Sequence, residues 1–417
     1  MTWYGQGYGG GETRDALIDG WNTVSTAAAG PFPAGGMTVI STPVKNGSGA
    51  LQIPSGVTSA FGGMTRIPSA GPVRIWCLQG WFNYNGNPTA AHPIFGCVGT
   101  LTANWIYLEV GTDRRVRVVQ LTDATWANRR PLSDWSVAVL GNGSYTHLVW
   151  FIDPLTLGTN NVLMTVLIDN VTQIVQDVGA WPAAMTPGGT AQFTWGILTG
   201  GVDIGVNLRI DDACGLYTTS VLDAPHLAAA PIGRVYAQHP ASDTGAQCDW
   251  TRSGATGTWF GKWSDATGND GDTTCLSGAD VNVHQTSAME TLVTLGWDAA
   301  ATVFESSAGV GPVLSIIHRD LGGTKWHGHT LCTTPAATEW AVVDPGATYI
   351  GALFPLARTS GTWARADAGT VFPGLQTGAD NHDSTWWATT MMLQWLICNN
   401  QYLPLTPGPM IPQGGLF

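Results

Sequence analysis

Closely spaced histidines and aspartates are the residues of this sequence that could bind a metal or take part in catalysis. His327 and His329 are two positions apart, so on a β-strand both imidazoles would face one side and could begin a metal site. Histidines at a surface or interface beside Trp326 explain the same pattern without a metal, and we favour that interpretation. Asp380-Asn381-His382-Asp383 contains the His and Asp of a catalytic dyad, but the sequence assigns no nucleophile to it. Neither cluster therefore predicts an active site.

Residues 257–272 contain two further patterns, one for phosphate and one for calcium. Gly257–Trp263 approaches a phosphate-binding loop, but its first glycine is one place late, and Trp263 stands where a Mg²⁺-binding Ser or Thr is required. Asp265–Asp272 is rich enough in oxygen ligands to bind Ca²⁺, yet it lacks the aspartate register and the closing Glu of an EF-hand loop. Asx-Gly turn chemistry accounts for its composition without a metal. We expect no cofactor, and Ca²⁺ is the alternative that stays open.

The carboxylates of the chain do not point to a polysaccharide hydrolase. Such an enzyme uses two carboxylates about 5–9 Å apart. The aspartates occur mainly in turn contexts, such as Asp169-Asn170 and Asp211-Asp212. The glutamates are only five: Glu12, Glu109, Glu290, Glu305 and Glu339. We therefore expect that the protein is not an enzyme.

The low and negative charge of the chain excludes several classes of partner. Only 11% of its 417 residues are charged, and the net charge is −12. Such a field repels phosphates, so we expect no nucleic-acid partner, although Arg114-Arg115, Arg117 and Arg129-Arg130 form small basic clusters. The sequence contains no apolar run of about 18 residues, so we expect no membrane span. Residues 1–8 show no basic or apolar region of a secretory signal, and the seven widely spread cysteines are typical of reduced thiols. We expect synthesis in a cytoplasm.

The elements that must position any site are β-strands. Strong helix formers other than Ala and Leu are rare, whereas Val, Thr and aromatic residues are frequent. The 78 Gly and Pro residues (54 and 24) suit turns between many short strands, and 20 Trp argue against disorder. Arg115–Val118 alternates, which predicts arginines outside and valines inside, while Tyr145–Ile152 and Val162–Ile168 are apolar on both faces and predict central strands. The predicted class is all-β, with about ten to twelve strands in the first half.

The segment Leu208–Tyr217 organises this arrangement. Leu208 and Ile210 would face one side of a strand, Arg209 and Asp211 the other, before Asp-Asp interrupts the pattern. We interpret it as the last strand of a first domain and the approach to a proline-punctuated joint at 223–232.

Short patterns that follow in order resemble virion structural proteins of tailed bacteriophages. They are Ile210-Asp211-Asp212, Gly233-Arg234-Val235, Ser242–Gly245, Asp249-Trp250-Thr251 and Asp270–Thr273. The resemblance covers roughly residues 15 to 400. It implies that the first domain is a jelly roll of the concanavalin A/laminin-G type. It also implies that the protein belongs to a virion, but it does not indicate which part of the virion. Sandwiches of this type sometimes hold Ca²⁺, which is why that ion stays open.

We predict two tandem β-sandwich (jelly-roll) domains with extended arms. The divisions are an N-terminal arm at 1–13, a concanavalin A/laminin-G-like sandwich at 14–222, a linker at 223–232, a second sandwich at 233–400 and a Pro-rich C-terminal arm at 401–417. The arms carry large apolar side chains on backbones that cannot fold alone, so we expect at least one to bind a neighbouring subunit. These candidate partner-binding residues are Trp3, Tyr4, Tyr8, Leu403, Met410, Ile411, Leu416 and Phe417.

The leading hypothesis is a non-enzymatic assembly protein of a bacteriophage virion, located in the tail, the neck or on the capsid surface as a decoration protein. Its partners would be other virion proteins and copies of itself, because a surface with little charge and many Trp is typical of interfaces. The alternative is a carbohydrate-binding adhesin that recognises a host surface glycan. A third hypothesis is a tail enzyme that degrades glycan.

Overall fold

The computed structural model describes residues 3–9, 37–45, 49–58, 60–64, 75–98, 105–122, 126–153, 161–180, 192–197, 203–218, 233–248, 251–253, 275–278, 284–289, 310–320, 326–332, 338–339, 350–355, 371–377 and 386–398. Every regular secondary-structure element in these ranges is a β-strand, so the predicted all-β class is confirmed. None of these ranges contains a helix long and apolar enough to cross a membrane.

The strands of the first half form two antiparallel sheets that pack as a sandwich. In chain order they are β1 (Trp3–Gly9), β2 (Thr38–Ile40), β3 (Ala50–Ile53), β4 (Ala60–Met64), β5 (Ile75–Tyr84), β6 (His92–Val98), β7 (Ile106–Val110), β8 (Val116–Leu121), β9 (Arg129–Pro131), β10 (Gly141–Asn142), β11 (Thr146–Asp153), β12 (Asn161–Ile168), β13 (Val171–Ala180), β14 (Gln192–Ile197) and β15 (Leu208–Thr218). The nine-stranded sheet has the order β13-β12-β11-β5-β15-β3-β2, with β1 paired to β15 and the short β10 paired in parallel to β5. The six-stranded sheet has the order β4-β14-β6-β7-β8-β9.

The strands of the second half form two further sheets. They are β16 (Gly233–Gln238), β17 (Pro240–Cys248), β18 (Thr251–Ser253), β19 (Cys275–Gly278), β20 (His284–Met289), β21 (Val310–Asp320), β22 (Trp326–Cys332), β23 (Thr338–Glu339), β24 (Ile350–Pro355), β25 (Val371–Thr377) and β26 (Trp386–Cys398). One sheet has the order β18-β19-β26-β21-β24 with β16 beside β26, and the other has the order β17-β20-β25-β22-β23. The predicted linker at 223–232 lies outside the described residues, and the domain limits stay a prediction.

The core of the first half lies between its two sheets. Phe82 of β5 meets Phe95 of β6 edge-on, with ring centroids 5.3 Å apart. On β8, Val116 and Val118 point into this core while Arg117 points away, which confirms the predicted alternation of that strand. Trp76, Trp150 and Trp195 are among the largest buried side chains. Truncating a ring of this kind to Ala typically costs about 3–5 kcal/mol, so these tryptophans anchor the sandwich.

The centre of the nine-stranded sheet is buried on both of its faces. Its strand β11 lies between β12 and β5 and is buried at every residue, which confirms the prediction of a central strand. Val149 and Phe151, which point away from the six-stranded sheet, belong to one buried cluster together with Val235 of β16. The Val235 amide also donates to the Asp212 carboxylate over 2.8 Å. The two halves of the chain therefore share a buried contact.

Strand β15 lies inside the nine-stranded sheet rather than at its edge. Leu208 and Ile210 are fully buried and pair with both β3 and β5. A β-bulge follows. Asp211 pairs with Trp81 and Cys214 pairs with Gln79, so three steps along β15 match two steps along β5. Asp212 sits in the bulge with φ of 47°, a left-handed conformation that Asp tolerates better than most residues. The Asp-Asp interruption is thus a bend in a continuous strand.

The N-terminal segment adds a strand to the same sheet. Residues 3–9 form β1, which pairs antiparallel with the second part of β15, from Ala213 to Thr218. Trp3, Tyr4 and Tyr8 therefore lie on the chain's own sheet, in register with Thr218, Tyr217 and Cys214. The C-terminal candidates Leu403, Met410, Ile411, Leu416 and Phe417 lie outside the described residues. Binding of an arm to a neighbouring subunit stays a prediction.

Candidate functional site

The outer face of the six-stranded sheet carries a cluster of charged and aromatic side chains. Along β7, Ile106, Leu108 and Val110 enter the main core, whereas Tyr107 and Glu109 point to the opposite face. Sheet alternation requires this division, since neighbouring residues of a strand face opposite sides. The cluster therefore lies on the side of the sheet that is turned away from the sandwich core.

A β-hairpin and the strand after it bring three charges together. In the β7–β8 hairpin Glu109 is directly opposite Arg117, and the Arg117 Nε donates to Glu109 Oε2 over 2.5 Å. Arg129, at the start of β9, donates its Nε to the other carboxylate oxygen of Glu109. The Glu109 carboxylate is fully buried, whereas the side chains of Arg117 and Arg129 remain 19% and 21% exposed. One buried carboxylate thus orients two guanidinium groups that solvent can reach.

Two tryptophans from loops fix the faces of these guanidinium groups. The Arg117 Cζ lies 4.2 Å from the ring centroid of Trp135, and the Arg129 Cζ lies 4.7 Å from that of Trp126. Cation–π contacts of this kind contribute about 0.5–1 kcal/mol each at exposed sites. The Arg129 Nη1 also donates to the Trp126 carbonyl over 3.0 Å. Glu109, Arg117, Trp126, Arg129 and Trp135 form what we call the arginine–tryptophan surface.

The loop that carries Trp135 is held against the edge of β8 by reciprocal hydrogen bonds. The hydroxyl of Ser136 accepts from the Val116 amide over 2.9 Å, and the Ser136 amide donates to the Val116 carbonyl over 2.7 Å. Gly111, in the turn of the hairpin, leaves the space that the indole needs. A Cβ at this position would lie 2.9 Å from Trp135 Cη2. Backbone pairing and one glycine therefore place Trp135 over Arg117.

Tyr107 forms an aromatic floor beside the arginine–tryptophan surface. Its ring meets Trp126 edge-on at 5.6 Å and Trp105 at 6.3 Å. Burial raises the pKa of the Tyr107 phenol well above its usual value, so the hydroxyl stays protonated. Gly96 of β6 makes room for this ring, because a Cβ there would lie 2.5 Å from Tyr107 Cε1. Trp105 and Trp135 are partly exposed at the margin of the floor.

The arrangement can bind a ligand but is poorly suited to proton transfer. Both oxygens of Glu109 already accept hydrogen bonds from guanidinium groups, so this carboxylate cannot serve as a free general base. Within the described part of the chain, the Nη1 and Nη2 atoms of Arg117 have no hydrogen-bond partner. The local charge is +1, from two arginines and one glutamate. Partly exposed guanidinium N–H groups beside aromatic rings favour binding of a polar or anionic group.

A second surface feature is an exposed strip of valines at the open side of the nine-stranded sheet. Strand β13 is its last strand and pairs, in the described residues, with β12 only. Val171 and Val175 on this strand, and Val137 and Val139 on the segment after β9, are between 43% and 93% exposed. The Ala138 amide donates to the Gln173 side chain over 2.9 Å and joins the two segments. We call these four valines the valine edge.

The residues singled out for metal or dyad chemistry are only partly placed. His327 and His329 lie on β22, in register with Gln376 and Gly374 of β25. Asp265–Asp272 and Asp380–Asp383 lie outside the described residues. In the ranges that the structure describes, no three His, Cys, Asp or Glu side chains come together as a metal site would require.

Cys77, Cys97 and Cys214 of the first half are buried and form no disulfide. Burial raises the pKa of the thiols of Cys77 and Cys97, so neither is an activated nucleophile. Cys214, on β15, is also fully buried.

The sequence did not point to the arginine–tryptophan surface. Arg117 and Arg129 appeared in it as basic clusters, and Glu109 as one of a few glutamates, without a link between them. The signal was present in the β7–β8 hairpin, since Glu109 and Arg117 are symmetric about the turn at 111–115. Trp126 and Trp135 follow no period, because they come from loops.

Comparison with known proteins finds similarity in fold alone. No family model and no curated protein matches the chain. Among solved structures, the carbohydrate esterase of the Shiga toxin-encoding bacteriophage phi24B is 14% identical and covers 52% of this chain and 99% of its own, with a TM-score of 0.34. The endo-β-1,4-glucuronan lyase of the fungus Trichoderma reesei is 13% identical over 48% and 93%, and alginate lyase Aly36B is 10% identical over 49% and 97%, both with TM-scores of 0.33. Such values assign no function to this chain.

Proposed function

We propose that the protein is a non-enzymatic structural component of a bacteriophage virion, in the tail, the neck or on the capsid surface, that assembles with copies of itself. The single observation that carries the proposal is the valine edge. Exposed apolar side chains on a strand that pairs on one side only in the described residues favour association, because association removes these side chains from water. The order of sequence patterns that resembles phage virion proteins supports the location.

A second copy of the chain is the occupant that fits the valine edge most simply. Two edge strands can pair antiparallel about a twofold axis, since each presents the same surface to the other. Asp177 is the only charged residue of β13, so the strand brings little like-charge repulsion to such a pair despite the net charge of −12. Other virion proteins would then bind elsewhere on the assembled oligomer.

The test is the oligomeric state of a variant in which Val171→Asp and Val175→Asp are combined. We expect the wild-type protein to be oligomeric by light scattering at micromolar concentration and the variant to be monomeric with an unchanged melting temperature. A matched control is Thr58→Asp with Ser144→Asp, which adds two charges at other exposed positions and should assemble normally. A wild-type monomer, or a double aspartate variant that still assembles, would contradict the proposal.

A second candidate function is recognition of host surface glycan, and the arginine–tryptophan surface favours it. Aromatic rings pack against the C–H faces of sugars, and guanidinium N–H groups donate to their oxygens. Trp105 and Trp135 are partly exposed next to two oriented arginines. A glycan array at high protein concentration tests this function. Reproducible sugar binding that is lost in Trp135→Ala supports it, and release of reducing ends from host polysaccharide would instead indicate an enzyme.

A further inference from the structure

The arginine–tryptophan surface is a cationic site on an acidic protein. Glu109 contributes one negative charge and Arg117 and Arg129 contribute two positive charges, whereas the whole chain has a net charge of −12. A further ion pair, Arg115 with Asp113, is neutral as a unit and lies in the hairpin turn. A ligand drawn to the surface by charge would therefore carry a negative charge itself.

The free N–H groups of the two arginines define the geometry of that ligand. Arg117 uses Nε for Glu109, and its Nη1 and Nη2 have no partner in the part of the chain that is described. Arg129 uses Nε for Glu109 and Nη1 for the Trp126 carbonyl, which leaves Nη2. Paired N–H groups on a planar fork fit the two oxygens of a carboxylate. The site thus offers a bidentate position on Arg117 and a further donor on Arg129.

Both guanidinium groups are held in place before any ligand arrives. Each is fixed at Nε by the buried carboxylate of Glu109 and on one face by an indole ring. A free arginine side chain loses rotamer entropy when it binds, but here much of that loss has already occurred in the folded protein. Preorganised donors of this kind favour a ligand with defined geometry over a diffuse polyanion.

We propose that the arginine–tryptophan surface selects a carboxylate-bearing sugar, whose carboxylate binds the free N–H groups of Arg117 and Arg129 while its ring packs beside Trp135. This inference rests on the second candidate function, recognition of glycan. It favours a single anionic group over nucleic acid, because a net charge of −12 repels a continuous run of phosphates while a local charge of +1 accommodates a single anion.

The test compares three oligosaccharides of matched length: oligogalacturonate, its methyl ester and neutral oligogalactose. Calorimetric titration of the intact chain at about 0.15 M salt should show the acid binding at least about tenfold more tightly than the ester, since a charge-assisted bidentate contact is lost on esterification. Arg117→Lys keeps the charge but loses the fork, and it should weaken binding of the acid about tenfold. Arg209→Lys is the matched control and should bind like the wild type, because Arg209 lies on β15 of the other sheet and donates to Gln52.

Each outcome of the titration decides something different. Equal affinity for acid, ester and neutral sugar would overturn the carboxylate proposal while recognition of glycan stands. No binding of any sugar would overturn both. Binding of an acidic peptide, such as oligoglutamate, as tightly as oligogalacturonate would show that the carboxylate is read without the sugar, and this too would overturn the proposal. Unchanged melting temperatures of the two lysine variants would exclude unfolding as the cause.

Discussion

Two buried histidines should make the stability of the protein depend on pH between about 6.5 and 4. His92 accepts from the Tyr84 hydroxyl at Nε2, 2.8 Å away, and donates from Nδ1 to the Ala90 carbonyl. His147 donates from Nε2 to the Gln79 side chain over 3.1 Å. Burial disfavours the charged imidazolium and lowers the pKa of each histidine from 6.5 to about 4. Both histidines are therefore neutral in the folded protein.

The sign of the effect follows from proton counting. Between pH 6.5 and 4 the unfolded chain binds more protons than the folded one, so the free energy of unfolding falls as the solution is acidified. The contribution of each histidine is fully present above about pH 6.5 and is lost progressively down to about pH 4. Lowering the pKa from 6.5 to about 4 corresponds to about 3 kcal/mol per histidine, of which about 2 kcal/mol is lost between pH 7 and 4.5.

The assay is urea unfolding followed by tryptophan fluorescence at pH 7, 5.5 and 4.5. His92→Gln and His147→Gln replace the ring with an amide that can donate and accept hydrogen bonds but does not titrate. Each variant should start less stable at pH 7 and should then lose about 2 kcal/mol less than the wild type on acidification to pH 4.5. Losses caused by carboxylates are common to all proteins in the comparison and cancel. Parallel pH profiles for wild type and both variants would refute the assignment of buried neutral histidines.

Further predictions concern the bulge, the aromatic floor, the ends of the chain and its ligands. Asp212→Ala should lower the free energy of unfolding by about 2–3 kcal/mol, because the buried amide of Val235 loses its acceptor, whereas Asp212→Asn keeps one and should cost less. Gly96→Ala should destabilise by about 1–3 kcal/mol, since its Cβ would overlap Tyr107, and tryptophan fluorescence should shift. Deleting 404–417 should prevent assembly without lowering the melting temperature of the subunit, and a less stable variant that still assembles would contradict this. EDTA or a reducing agent should change the melting temperature by less than about 5 °C.

Local alternation of residue types predicted the strands but not their arrangement. Val116 and Val118 are buried and Arg117 is not, because a strand shows its burial pattern in the sequence directly. The place of β15 between β5 and β3, with β1 beside it, depends on pairing over long distances along the chain. The Lys45 amide, for example, donates to Asp211 across 166 positions. No periodic pattern in either segment encodes such a contact.

The candidate site was predictable only in its parts. The sequence marked Arg117 and Arg129 as basic and predicted that Arg117 points outward. It could not place Glu109 between them, because that contact needs the register of the β7–β8 hairpin and the path of the segment that leads to β9. The residue pattern also indicated that Asp211-Asp212 is a polar interruption of the strand. Asp212 instead occupies a bulge with positive φ, a conformation that depends on the neighbouring strand.

Several carboxylates of the first half lie inside the protein and not at its surface. Glu109, Asp153, Asp211 and Asp212 are all buried, and the contacts of Glu109, Asp211 and Asp212 include arginines and backbone amides of the same chain. A buried carboxylate needs such partners, because removing it from water without hydrogen bonds costs several kcal/mol. Four of the 29 acidic residues of the chain are thereby removed from the surface of the first half. Under the two proposed functions, the valine edge then serves assembly, and the oriented pair of arginines distinguishes an anionic ligand from a neutral one.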